Sequence, residues 1–185
     1  MAENRAHGEC FEKRLKRFRN GTPTESIGTL LNSISNFFNN EIKEAPRNKQ
    51  TSLLFLGIHA SILTISEALF GKSGLDGYKY FLENFVDGNS KDLQFSLVSS
   101  RIHDWRNILA HQWLGSTGHN IAYDYNMKEG WKEIDGILFI NPQIYCDQYI
   151  KAFSGDSFLW KYDSYLGQGE LEDAKDRIIT KFIDR

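Results

Sequence analysis

The stretch Thr51–Phe70 limits the possible folds more than any other part of the chain. It is apolar nearly all round, strong helix formers stand beside isoleucines, and Gly71 follows as a stop. A helix without a broad polar face has to be covered on every side. Gly57, His59, Ser61, Thr64, Ser66 and Glu67 interrupt the run, which suits a buried core helix better than a membrane span. The rest of the chain must therefore supply elements that enclose it.

Suitable partners flank it on both sides. From Ser26 to Lys43, the residues Ile27, Leu30, Leu31, Ile34, Phe37 and Phe38 recur at helical spacing. Thr24 or Ser26 can cap that helix, and Ala45-Pro46 ends it. Gly71, Gly74 and Gly77 mark residues 71–77 as a loop, before a short helix from Tyr78 to Phe85. Lys91 to Leu114 then reads as one helix of about 36 Å. Long helices joined by short loops make an antiparallel bundle over residues 25–115.

Beyond Gly115 the texture changes. Ile121, Tyr123, Tyr125 and Met127 alternate with Ala122, Asp124 and Asn126, a period-2 strand pattern. Lys128-Glu129-Gly130 turns the chain, and Trp131 to Ile140 is the expected return strand, with a possible kink at Asp135-Gly136. Asn141-Pro142 opens a helix in cap-then-proline order. Aromatic residues from Phe158 to Leu166 lead to a last amphipathic helix, Glu170 to Ile183. The fold class read from the chain is mainly α: a helical bundle with a β-hairpin and C-terminal helices appended. Residues 116–185 form that extension, packed on the bundle because a lone hairpin is marginal in water.

Within residues 99–114, Arg, His and Asn sit among large apolar side chains in a helix-compatible run. Ile102, Trp105, Ile108, Leu109 and Leu114 spread over an apolar arc, while His103, Asn107 and His111 recur at i, i+4, i+8. Arg106 stands beside that polar stripe. The segment Arg106-Asn107-Ile108-Leu109-Ala110-His111 resembles the R-x4-6-H motif of HEPN domains, in its Arg-Asn-x-x-x-His form. Those domains are small helical bundles, many of them metal-independent ribonucleases of prokaryotic toxin–antitoxin, abortive-infection and CRISPR-associated systems. The resemblance covers residues 25–115 and implies that Arg106 and His111 are catalytic, with Asn107 positioning the site. It also implies a homodimer whose two motifs line one cleft, an RNA substrate, and an antitoxin or defence-system partner. In related toxins a Tyr two residues after the His is modified by the antitoxin. Trp113 occupies that position here and has no hydroxyl to modify.

The residue types suit that chemistry. RNA cleaves itself when its 2′-hydroxyl attacks the neighbouring phosphorus, so an enzyme must move protons and neutralise phosphoryl charge. A His near its ordinary pKa serves as base or acid at neutral pH, and Arg is a permanently charged fork for phosphate. Asn107, four residues before His111, can hold the imidazole in one orientation. Positions five apart differ by about 140° around a helix and about 7.5 Å along it. Either the helix distorts near its end, or a second copy completes the site.

Other polar residues carry alternative readings. His103 is a third group of the site or a structural side chain bonded to Asp104 or backbone. Arg101 contacts phosphate or is a surface charge. His59 and Glu67 approach the motif helix, or are a satisfied buried His and a solvated Glu near a helix end. No metal or cofactor is expected: His103 and His111 lie about 12 Å apart along a helix, and no Cys or carboxylate cluster offers further ligands.

Composition narrows the function classes. Over 185 residues, 41% are hydrophobic and 14% aromatic, enough for a real core, and a net charge of −2 excludes a wholly basic nucleic-acid-coating protein. The charge is uneven, since residues 1–19 carry six Lys or Arg against three Glu. Residues 1–24 read as a basic polar arm in which Lys13, Arg14, Lys16 and Arg17 either touch RNA phosphate or are simply solvated. The charged start lacks an apolar signal core, and Cys10 and Cys146 read as reduced thiols, so a soluble cytoplasmic protein is expected. The alternative to a nuclease is a non-catalytic HEPN module that binds RNA, a nucleotide or a protein partner.

Overall fold

The structure, a computed structural model, describes residues 12, 13, 15–112, 120–155 and 157–184. Residues 15–20 are helical, and Phe18 is buried in the core. Helix α1 (Pro23–Phe37) begins one turn earlier than its apolar stripe, because Thr22 and Glu25 form a capping box. The Thr22 hydroxyl accepts from the Glu25 amide at 3.2 Å, and the Glu25 carboxylate accepts from the Thr22 amide at 2.7 Å. Two amide donors that a helix start leaves orphaned are thereby satisfied. Ser26, one of the two predicted caps, is instead buried and donates to the Phe18 carbonyl at 3.0 Å. A π-helical turn, Phe38–Ile42, continues α1.

Helix α2 (Thr51–Phe70) occupies the range its pattern predicts. It packs against α1, against α3 (Gly74–Phe81), α4 (Ser99–Gln112), α5 (Pro142–Lys151) and α6 (Gln168–Ile178). That enclosure is the structural counterpart of an all-round apolar sequence. By length and composition α2 would cross a membrane, but most of it is buried inside the molecule, as in a soluble protein. Gly71 ends it in the left-handed conformation (φ +64°), which glycine adopts without a Cβ penalty. Arg177 of α6 then donates to the Ala68 and Leu69 carbonyls at 3.0 and 2.8 Å, capping the end of α2 from across the bundle.

Helix α3 starts inside the predicted 71–77 loop. Gly77 makes this possible: a Cβ there would lie 2.4 Å from the Lys72 carbonyl oxygen. The absence of a side chain lets α3 fold straight back onto α2, where the Ser66 hydroxyl donates to the Gly77 carbonyl at 2.8 Å. A π-helical turn, Leu82–Val86, extends α3.

The single helix expected from Lys91 to Leu114 is corrected by the structure. Short 3-10 turns cover Lys91–Leu93 and Phe95–Val98, broken at Gln94 (φ −91°, ψ 80°), and the α-helix begins at Ser99. Tertiary bonds overrule the helical pattern. The Asp87 carboxylate accepts from both the amide and the hydroxyl of Ser96, and the Trp131 indole donates to the Gln94 carbonyl. Leu114 and Gly115 lie outside the described residues.

The sheet has the order β1-β3-β2, from β1 (Ile121–Tyr123), β2 (Trp131–Ile134) and β3 (Ile137–Ile140). The expected pairing of the 121–127 segment with one long return strand is also corrected: β1 runs parallel to β3, and the hairpin is β2–β3. Asp135 and Gly136, at φ +51° and +75°, form its two-residue loop, the conformation that matches strand twist and that Asp-Gly favours. Strand β1 stops early because the Asp124 carboxylate accepts from the Asn126 amide at 2.9 Å and bends the chain. Leu138 and Ile140 of β3 are fully buried.

Asn141 caps α5 through the Gln143 and Ile144 amides, with Pro142 in the first turn. Helix α6, extended by a π-turn Ile179–Ile183, packs on both α1 and α2. One apolar core therefore runs from Phe18 to Ile178, with the C-terminal helix set into the bundle. The molecule is mainly helical with a small three-stranded sheet.

Candidate functional site

Helix α4 is fixed by its apolar side. Ile102, Trp105 and Leu109 are buried, and the Trp105 ring meets Phe55 of α2 and Tyr123 of β1 edge-on at 5.1 and 5.2 Å. These anchors set the rotation of the helix and send His103, Arg106 and Asn107 to a half-buried neighbouring side. The helix is unbroken through Gln112, so Arg106 and His111 stand on one regular helix, five positions apart. Positions five apart on a regular helix differ by about 140° around its axis. The backbone of His111 is in the last turn of α4. Trp113 lies outside the described residues.

Among the described residues His103 is bonded to neither Asp104 nor backbone. Its Nδ1 lies 2.9 Å from Nε2 of His59, 44 positions earlier on α2. His59 is fully buried, and its ring packs on Tyr78 of α3 at 4.5 Å. Tyr78 in turn shares a 2.6 Å hydrogen bond with Tyr145 of α5. Burial, and then the charges of Arg106 and His103, push the His59 pKa down to about 3. It is neutral at physiological pH. Partial burial also lowers His103; Arg106 adds to that, and Asp104 opposes it.

Arg106 Nη1 donates to the Asn107 side-chain oxygen at 2.9 Å. The acceptor end of Asn107 therefore steadies Arg106, and any role toward His111 falls to its amide nitrogen. Arg106 Nε is buried and has no hydrogen-bond partner among the described residues. Three nitrogen-rich side chains thus gather where α2 meets α4, and no carboxylate is hydrogen-bonded to any of them among the described residues. Such a cluster suits an anion. Among the described residues no group of His, Cys, Asp and Glu has the arrangement of a metal site.

Arg101 is used differently. Its Nη2 donates to the carbonyls of Asn120 and Gly136, and its Nη1 pairs with Glu133 at 3.1 Å. It ties the hairpin to α4 beside a cleft of about 360 Å³ that Asp104 and Trp105 also line. His103, Arg106 and Asn107 are not among the residues of that cleft.

Lys13, Lys16 and Arg17 are exposed, and Arg14 lies outside the described residues. Their neighbour Arg19 pairs with Asp184 at 2.7 Å, so this basic turn sits by the C-terminal end of the helices. Glu67 pairs with Lys181, which occupies it away from α4. The sequence marked His59 as able to approach α4, but nothing in it named the partner, since no local spacing links positions 59 and 103.

No protein-family model, no curated protein and no solved structure matches the chain.

Proposed function

We propose that the chain is a metal-independent HEPN-type endoribonuclease that acts as a two-fold dimer with its α4 helices facing. The observation that carries this reading is the half-buried Arg106 guanidinium, held by Asn107 on an unbroken helix that also bears His111. Two residues that diverge in one copy converge when a second α4 is placed antiparallel against the first. Arg106 then faces the phosphoryl oxygens, and His111 takes the proton of the attacking 2′-hydroxyl. The bond from phosphorus to the 5′-oxygen breaks, that oxygen gains a proton, and the products carry a 2′,3′-cyclic phosphate and a 5′-hydroxyl. DNA lacks the nucleophile and resists. The setting that goes with this activity is the cytoplasm of a prokaryote, in defence or toxin–antitoxin function, with an antitoxin or defence-system protein as partner.

The test is incubation with mixed RNA and tRNA in EDTA, beside an Arg106→Ala/His111→Ala control, with fragment-end analysis and sedimentation of the protein. Wild-type-only cleavage with cyclic-phosphate ends by a dimer supports the reading. RNA that binds but stays intact points instead to the non-catalytic binding module.

A further inference from the structure

The contact between His59 and His103 has only two neutral forms, and they differ in what they leave buried. If His59 Nε2 accepts from His103, the His59 proton sits on Nδ1, a buried atom without a partner among the described residues. A buried N–H without an acceptor is the rarer and costlier orphan. If His59 Nε2 donates to His103 Nδ1, only a lone pair is left at His59 Nδ1. The second form is favoured, and it fixes the partner: His103 Nδ1 is an acceptor, so its own proton resides on Nε2. We infer that His59 is a positioning residue that holds His103 as the Nε2–H tautomer beside Arg106, making His103 a second donor to the phosphodiester in the α4 site.

The surroundings support an anionic ligand. From α4 the pair faces Arg106, whose charge disfavours a cationic imidazole, and the exposed Asp104, whose charge favours one. From α3 it faces Tyr78, whose hydroxyl is engaged with Tyr145 of α5. Asp87 acts on that tyrosine pair but is itself bonded to Ser96. A phosphodiester against Arg106 offsets the positive field and raises the proton affinity of His103. Ligand binding and His103 protonation are thus coupled: the added proton takes His103 Nδ1, so His59, which stays neutral under Tyr78, turns its Nε2 into the acceptor and carries its own proton on Nδ1.

This inference rests on the proposed RNA site, and the test separates the two. Ring-¹⁵N-labelled full-length protein is titrated by NMR with and without a 2′-O-methyl oligoribonucleotide, which binds as RNA does but cannot be cut. The expected spectrum has His103 as the Nε2–H tautomer, with a titration midpoint that moves up by about one pH unit on addition of the oligonucleotide. In His59→Phe, His103 becomes a mixture of tautomers, and RNA cleavage falls about tenfold with an altered pH profile, against about 100-fold for His103→Ala. An Nδ1–H tautomer at His103 in the wild type overturns the inference without needing any variant to fold. A midpoint indifferent to the oligonucleotide overturns the phosphodiester contact. If the tautomer is as expected but no RNA is cut, the nuclease reading fails and the positioning by His59 stands.

Discussion

Arg101 and Arg106 lie five positions apart on α4 and are treated in opposite ways. Arg101 is bonded to the Asn120 carbonyl ahead of β1, to the Gly136 carbonyl of the hairpin and to Glu133, so its charge is spent inside the molecule. Among the described residues Arg106 has a single side-chain acceptor and a buried Nε without a partner, and two imidazoles lie nearby. The same residue type is a tether in one place and a candidate ligand group in the other. Satisfaction of the guanidinium separates the two roles, and sequence position does not.

The strongest test of that contrast removes the unsatisfied side. Arg106→Ala with His111→Ala is expected to lower RNA cleavage at least about 10³-fold, measured as initial rate in EDTA. Arg106→Lys should not restore it, because a point charge does not replace the planar fork. Arg101→Ala should act on the fold instead, with a loss of about 2 kcal/mol in urea unfolding and faster amide exchange in β2 and β3. If Arg101→Ala abolished RNA binding at unchanged stability, the two arginines would have to exchange roles.

A pH experiment sharpens the comparison from the histidine side. His59 binds its proton far more weakly folded than unfolded, so the unfolded state holds more protons between about pH 6.5 and pH 3. Its effect on stability is nil above that window and grows as a penalty while pH falls, by up to about 1.4 kcal/mol per unit. Urea unfolding of His59→Phe between pH 6.5 and 5 should therefore be flatter with pH than that of the wild type. The smallest effect belongs to the exposed basic turn. Replacing Lys13, Lys16 and Arg17 by Gln should weaken RNA binding severalfold at most and reduce its salt dependence, with the melting temperature unchanged.

Legibility in the sequence followed the range of the forces. Thr51–Phe70 was readable because burial on all sides leaves a local mark, and Asn141-Pro142 because a cap is local chemistry. Alternation from Ile121 to Met127 overstated β1, since the Asx turn at Asp124 outweighs period. Helical pattern likewise overstated the run before Ser99, where Asp87 captures Ser96 across nine positions. On α4, the common helix of His103, Arg106 and Asn107 and their half-buried side were readable from a helical wheel. The partner of His103 was not, because a contact across 44 positions is decided by how α2 and α4 pack.

The cap that Arg177 places on α2 sets a clock on biosynthesis. The central helix emerges from the ribosome early, yet its last carbonyls are met by a residue 109 positions downstream. At translation rates of roughly 5–20 residues per second, α2 waits about 5–20 s for that partner. During the wait α1, α3, α4 and α5 can pack on α2, but the face that α6 covers stays open. Enclosure of the central helix is therefore completed only when synthesis has passed α6.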